Sequence, residues 1–158
     1  MKDSGQKIFD AKIVVHTGLN TFAMLDGIEE ITALHITGRR SFSDAPVYLG
    51  LEALAQLGAF YVRHLVGFNR HVFLLKIATC RLPSAHVLEG EYALSGRLLS
   101  RSASAFSCRL KAEKGNTDLM EGDFLYASID YDGNFKKDIL QRYYREMFAC
   151  LHSDLKRG

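Results

Sequence analysis

The longest apolar stretch of the chain, Tyr48 to Val62, is broken only by Glu52 and Gln56. It lies inside Val47–Leu65, which is rich in Leu and Ala and has no internal Pro. Ser43-Asp44-Ala45-Pro46 precedes it, where Ser or Asp can cap a helix and Pro favours a helix start. The pattern predicts a helix over 47–65. Its apolar residues occupy every face rather than one stripe, so other structure must wrap it on most sides. The run falls short of the roughly 20 residues that a membrane span needs, so no span is expected.

After the helix come strand-length runs with β-branched or aromatic content: Val72 to Leu82, Leu88 to Ser100, Ser104 to Glu113 and Asp118 to Tyr131. Pro83-Ser84 and Lys114-Gly115-Asn116 punctuate them as turns, and the second sits between two alternating runs as a hairpin loop does. These strands are expected to form an antiparallel meander around the helix. Before the helix, Thr21 to Ile36 reads as one or two strands with a poorly defined turn, and Ile31 to Ile36 alternates like a strand. From Phe135 to Lys156, Ile139, Tyr143, Met147, Cys150 or Leu151, and Leu155 recur close to helical spacing. The expected class is α+β, a long central helix wrapped by a curved antiparallel sheet, with an extra C-terminal helix. Residues 1–133 form the domain, and 134–158 pack as an amphipathic helix on that domain or on a partner.

Length and composition leave this picture standing. At 158 residues, 47% apolar and 24% charged, with 2 Pro and 13 Gly, the chain suits one globular domain with little room for a linker. A net charge of +2 without a dense basic run is too weak for a nucleic-acid footprint. Cys80, Cys108 and Cys150 are widely spaced, with no Cys-x-x-Cys pair to bind zinc. They read as reduced thiols of a cytoplasmic protein. The opening residues lack a signal-peptide core, so export is not expected. No metal or nucleotide-cofactor motif is present, and Ser100, Ser102, Ser104 and Ser107 lack the context of a serine nucleophile.

Glu52 is the most informative residue, because Glu is rarely buried without a partner. A buried carboxyl has a raised pKa and can exchange protons near neutral pH. Gln56 lies one turn along on the same face, placed to orient that carboxyl or a substrate carbonyl. The alternative is a structural helix that points one Glu at solvent through a gap in the sheet.

The helix motif Leu51-Glu52-Ala53-Leu54-Ala55-Gln56, with a strand before it and a meander after it, resembles the (3R)-hydroxyacyl-[acyl-carrier-protein] dehydratases, which have the hot-dog fold. His16-Thr17-Gly18-Leu19-Asn20-Thr21-Phe22-Ala23-Met24-Leu25-Asp26 is similar to that family's opening segment. Lys76-Ile77-Ala78-Thr79-Cys80-Arg81-Leu82-Pro83 is similar to its third strand. The resemblance spans most of residues 16–131. It implies that the catalytic carboxylate falls on Glu52, that Gln56 matches the helix Gln, and that helix and meander line an acyl tunnel. It also implies a homodimer or higher even oligomer acting on an acyl thioester of acyl carrier protein or coenzyme A. A histidine of one subunit would face the carboxylate of the other.

The chain departs from that family at this histidine. The family's His-Phe-Pro-Gly loop before the helix is not intact; His35-Ile36-Thr37-Gly38 imitates it but stands three residues too far from Glu52. An alignment that keeps His35 in a strand deletes the loop and puts Ser43-Asp44 near the missing base. Without the histidine, dehydration loses its second acid–base group. A hot-dog thioesterase needs only a helix carboxylate that activates water, with backbone N–H groups near Leu49 and Gly50 polarising the thioester oxygen. Gly50 would also admit the thioester closely. The length and order of the resemblance put the dehydratase reading first, the thioesterase second and an acyl-thioester binding subunit without catalysis third. His64, His71, His86 and His152 read as surface or cap residues. Arg39, Arg40, Arg63 and Arg70 read as a basic rim that would attract an acidic carrier protein, or simply as a solvated basic face.

Overall fold

The computed structural model describes residues 14–15, 21–22, 24–115 and 118–153. A short antiparallel ribbon pairs β1 (Val14–Val15) with β2 (Thr21–Phe22). The main sheet contains β3 (Gly27–Ile31), β4 (His35–Pro46), β5 (His71–Arg81), β6 (Val87–Arg101), β7 (Ala105–Lys114) and β8 (Asp118–Ile129). Two helices complete the chain, α1 (Val47–Leu65) after β4 and α2 (Lys137–Ser153) at the end. The six strands lie in the order β3-β4-β6-β7-β8-β5, antiparallel at every junction. The strand that follows α1 therefore crosses to the far edge.

Period-two alternation explains which face meets the helix. On β7, Phe106, Cys108, Leu110 and Ala112 are buried, while Ser107, Arg109 and Lys111 point the other way. The inward residues of β4, β6 and β8 join them, and α1 lies across this face with Ala53, Leu54, Leu57 and Tyr61 fully buried. Gly58 lets the helix approach: a Cβ there would stand 2.2 Å from the Tyr126 hydroxyl oxygen. That hydroxyl donates to the Ala55 carbonyl at 2.7 Å and ties β8 to the middle of α1. On the side of α1 away from the sheet, Tyr144 and Phe148 of α2 pack on Phe60 with ring centroids 6.3 and 6.4 Å away.

The helix begins at Val47 as the sequence predicts, but by a different route. Ser43 and Asp44 lie within β4 and do not cap α1; the cap position is Pro46, which gives no side-chain hydrogen bond. Asp44 instead takes a positive φ of 47° at a bulge and donates its backbone N–H to Glu89. The strand read over Ile31 to Ile36 is corrected too. Thr32 ends β3, and its hydroxyl accepts the N–H groups of Leu34 and His35 at 3.1 Å each. This side-chain turn reverses the chain without Gly or Pro. β4 then continues far beyond Ile36, its polar Arg39 and Ser41 alternating with buried Gly38 and Phe42.

Candidate functional site

Glu52 and Gln56 form one hydrogen-bonded unit on the face of α1 that the sheet leaves open. The Gln56 side-chain carbonyl accepts the backbone N–H of Met24 at 2.9 Å. This fixes the amide so that its NH2 donates to Glu52 Oε1 at 3.1 Å. A strand-side backbone group thus orients the glutamine, and the glutamine orients the carboxylate. Glu52 joins none of the ion pairs among the described residues. Contrary to the sequence expectation, it is exposed on this chain. The hydrophobicity of α1 comes from its neighbours in the helix, whereas the sector holding Glu52 turns away from the sheet.

The open sector leads into a cleft of about 510 Å³ between α1, β5 and α2, within the roughly 300–1,000 Å³ of small-molecule sites. Glu52 and Gln56 stand toward one end, Ala59 and Phe60 along the wall, and Arg63 and His71 toward the other, beneath Phe135, Tyr144 and Met147. Residues 52, 56, 59 and 63 share one stripe, since eleven residues make close to three helical turns. On the other side of Glu52, a second hollow is lined by Tyr48, Leu49, Leu51, Leu74 and Ile77.

Arg63 and His71 were expected at the surface, and the structure buries both. Arg63 is 8% exposed and His71 5%. The Arg63 guanidinium lies 3.6 Å from the Tyr144 ring centre and donates through Nη2 to the Val72 carbonyl at 3.3 Å. Burial lowers its pKa, and the phenols of Tyr144 and Tyr131 oppose that shift; an arginine so placed stays cationic. His71 stacks on Phe135 with centroids 4.2 Å apart. Burial, and then the Arg63 charge, push its pKa below the ordinary imidazole value, with Asp132 pulling the other way. His71 is therefore neutral at pH 7. The helical stripe from Glu52 to Arg63 was the available sequence signal for Arg63; nothing comparable marked His71.

The other expected residues separate. Leu49 borders Glu52 in the second hollow. Gly50 faces inward: a Cβ there would meet Leu88 at 2.8 Å and Met120 at 2.9 Å, so its smallness serves helix–sheet packing. His35 lies on the sheet face turned away from α1, hydrogen-bonded through Nδ1 to the Thr32 hydroxyl at 3.1 Å and 3.4 Å from Glu30. Arg39, Arg40 and Arg70 pair with Glu29, Asp26 and Asp130, which reduces the free basic rim. His64 and His86 are exposed, whereas His152 is partly buried and hydrogen-bonds the Ile28 carbonyl. Of the opening segment 16–26, residues 16–20 and 23 fall outside the described residues.

No family model and no curated protein matches this sequence. Solved structures do match. The dehydratase heterocomplex ApeI:P from Xenorhabdus doucetiae superposes with a TM-score of 0.58 at 14% identity, covering 68% of this chain and 83% of that one. A putative thioesterase, yhdA from Lactococcus lactis, gives 0.57 at 13% identity over 68% of this chain and 95% of that one. The fold is the hot-dog fold. A hypothetical thioesterase from Streptococcus pneumoniae, solved with coenzyme A, matches with a TM-score of 0.55 at 10% identity, covering 65% and 84%. These neighbours share the hot-dog architecture with this chain and do not single out a dehydratase family. At such identities the likeness is one of architecture, so chemistry on this hot-dog scaffold has to be argued from its own residues. No helix among the described residues is long and apolar enough to cross a membrane.

Proposed function

We propose that this hot-dog protein handles acyl thioesters, with the acyl chain in the cleft beside α1 and the thioester carbonyl at Glu52, and that hydrolysis is the reaction its geometry supports best. The observation that carries the reading is the Met24–Gln56–Glu52 relay at the mouth of an apolar cleft. A carboxylate oriented in this way can accept a proton from water as that water attacks the thioester carbonyl carbon. The thiolate then leaves and recovers the proton. The N–H groups of Val47, Tyr48 and Leu49, which follow the cap position Pro46, have no intrahelical acceptor. No side-chain cap or acidic first-turn residue competes for them, so they suit the developing oxyanion.

Dehydration of a 3-hydroxyacyl thioester is the second reading. The retained Leu51–Gln56 motif favours it, as does the likeness to a dehydratase that is a heterocomplex. In that case a partner subunit would bring the second acid–base group, because His35 faces away within the chain. A homodimer fits either reaction. Exposed Leu74, Leu75 and Ile77 on the edge strand β5, together with Tyr48 at 67% exposure beside Glu52, form an apolar surface that a second subunit would cover.

The test is Glu52→Gln, which keeps size and hydrogen-bonding shape but cannot carry a proton. Turnover of acyl thioesters is expected to fall about 10²-fold or more with melting temperature little changed. Free thiol from a saturated acyl thioester identifies hydrolysis, and interconversion of 3-hydroxyacyl and enoyl thioesters identifies dehydration. Tight binding without turnover would indicate a binding subunit. Wild-type turnover in the variant would show that Glu52 is the wrong residue.

A further inference from the structure

The inner end of the cleft is chemically unlike its walls. Arg63 is buried, and no carboxylate pairs with it among the described residues. Among the described residues its Nε has no hydrogen-bond partner, and neither does Nδ1 of the similarly buried His71. Stacking against Tyr144 and one bond to Val72 offset part of the desolvation of the guanidinium. They leave donor capacity unmet in a place where unmet donors are rare. An acyl tunnel for methyl-ended chains would do better with an apolar side chain at this position, because a lone buried charge is costly.

We propose that Arg63, with His71 beside it, receives a carboxylate at the far end of the acyl chain, so that the substrates are ω-carboxyacyl thioesters. This inference rests on the acyl-thioester reading above and specifies its substrate class. The guanidinium offers planar paired donors that match a carboxylate. His71, neutral for the reasons given, adds a ring that can donate a hydrogen bond without a competing charge. The distance between the two ends selects length. Eleven residues of α1 separate Glu52 from Arg63, about 16 Å at 1.5 Å per residue, which suits a chain of intermediate length with reacting group and carboxylate at opposite ends.

The experiment uses non-hydrolysable pantetheine thioethers of graded chain length, each ending in methyl, hydroxyl or carboxylate, titrated calorimetrically into the intact protein. The carboxylate series is expected to bind about tenfold or more tighter than the methyl and hydroxyl series, with one preferred length. Arg63→Gln should abolish that preference and retain binding of the methyl series, and Arg63→Lys should keep part of it. Equal binding of the three series overturns the inference and leaves the acyl-thioester reading standing; a preference that survives in Arg63→Gln overturns it as well. Binding of none of them overturns both. If Arg63→Gln does not fold, the wild-type comparison alone still decides.

Discussion

Gly58→Ala tests whether the contact between Tyr126 and α1 sets the position of the candidate site. A helix interior prefers Ala to Gly by about 1 kcal/mol, so the substitution would stabilise an open helix face. Here the added Cβ would stand 2.2 Å from the Tyr126 hydroxyl oxygen, 2.7 Å from its ring carbon Cζ and 2.8 Å from Leu110. Something must move. Overpacking of this kind costs about 1–3 kcal/mol, and displacing the hydroxyl also removes its bond to the Ala55 carbonyl, worth about 1 kcal/mol. The expected net loss is about 1–3 kcal/mol, or a fall of roughly 2–12 °C in melting temperature for a chain of this size. Because Ala55 precedes Gln56, activity should fall more than stability alone explains. The closest atom is the hydroxyl, so Tyr126→Phe in the Gly58→Ala background should recover part of the loss while being destabilising by itself. Urea unfolding of the four proteins gives the coupling directly. A neutral or stabilising Gly58→Ala would refute the claim that Tyr126 fixes the spacing between helix and sheet.

Two further outcomes follow from the same geometry. If β5 pairs with its copy, sedimentation should show a dimer at micromolar concentration, and Leu75→Lys with Ile77→Lys should give a folded monomer of much lower activity; a wild-type monomer would remove any two-subunit site. His71 gives a pH dependence: its folded pKa lies below the unfolded value near 6.5, so the folded protein binds fewer protons. Its contribution is then present above about pH 6.5 and lost as pH falls through the lowered value, at no more than about 1.4 kcal/mol per pH unit. His71→Phe, which keeps an aromatic ring against Phe135, should flatten this acid limb of the melting curve, and an unchanged limb would contradict the assignment.

Much of the architecture was legible because its signals are local. Pro46 and the Leu/Ala-rich run mark α1 at both ends, and the alternation on β7 and β8 places those strands within a residue or two of where they lie. The hairpin at Thr32 was not legible, because a threonine hydroxyl makes that turn without Gly or Pro. The length of β4 was hidden as well, since the strand reading stopped at Ile36 and the alternation of Arg39 and Ser41 with Gly38 and Phe42 shows only in register with β6. At the site, Glu52 and Gln56 were found as a pair, but burial was assigned the wrong way round. A helix apolar on every face does not reveal which sector meets the sheet. Glu52, expected inside, is exposed, and Arg63, read as rim, is buried under Tyr144.

That reversal bears on how the site would work. On one subunit Glu52 stands beside an apolar surface made by Tyr48, Leu74 and Ile77, open to water. A general base is most effective where water is restricted and nearby dipoles are fixed. The relay from Met24 through Gln56 fixes the carboxylate within the subunit, but among the described residues it stands exposed. The inner end of the cleft is the reverse, lined by Phe135, Tyr144 and Met147 with Arg63 and His71 buried. Orientation is thus built into the fold at one end and desolvation at the other. A cover brought over β5 and the start of α1 by a second subunit is what would give Glu52 both.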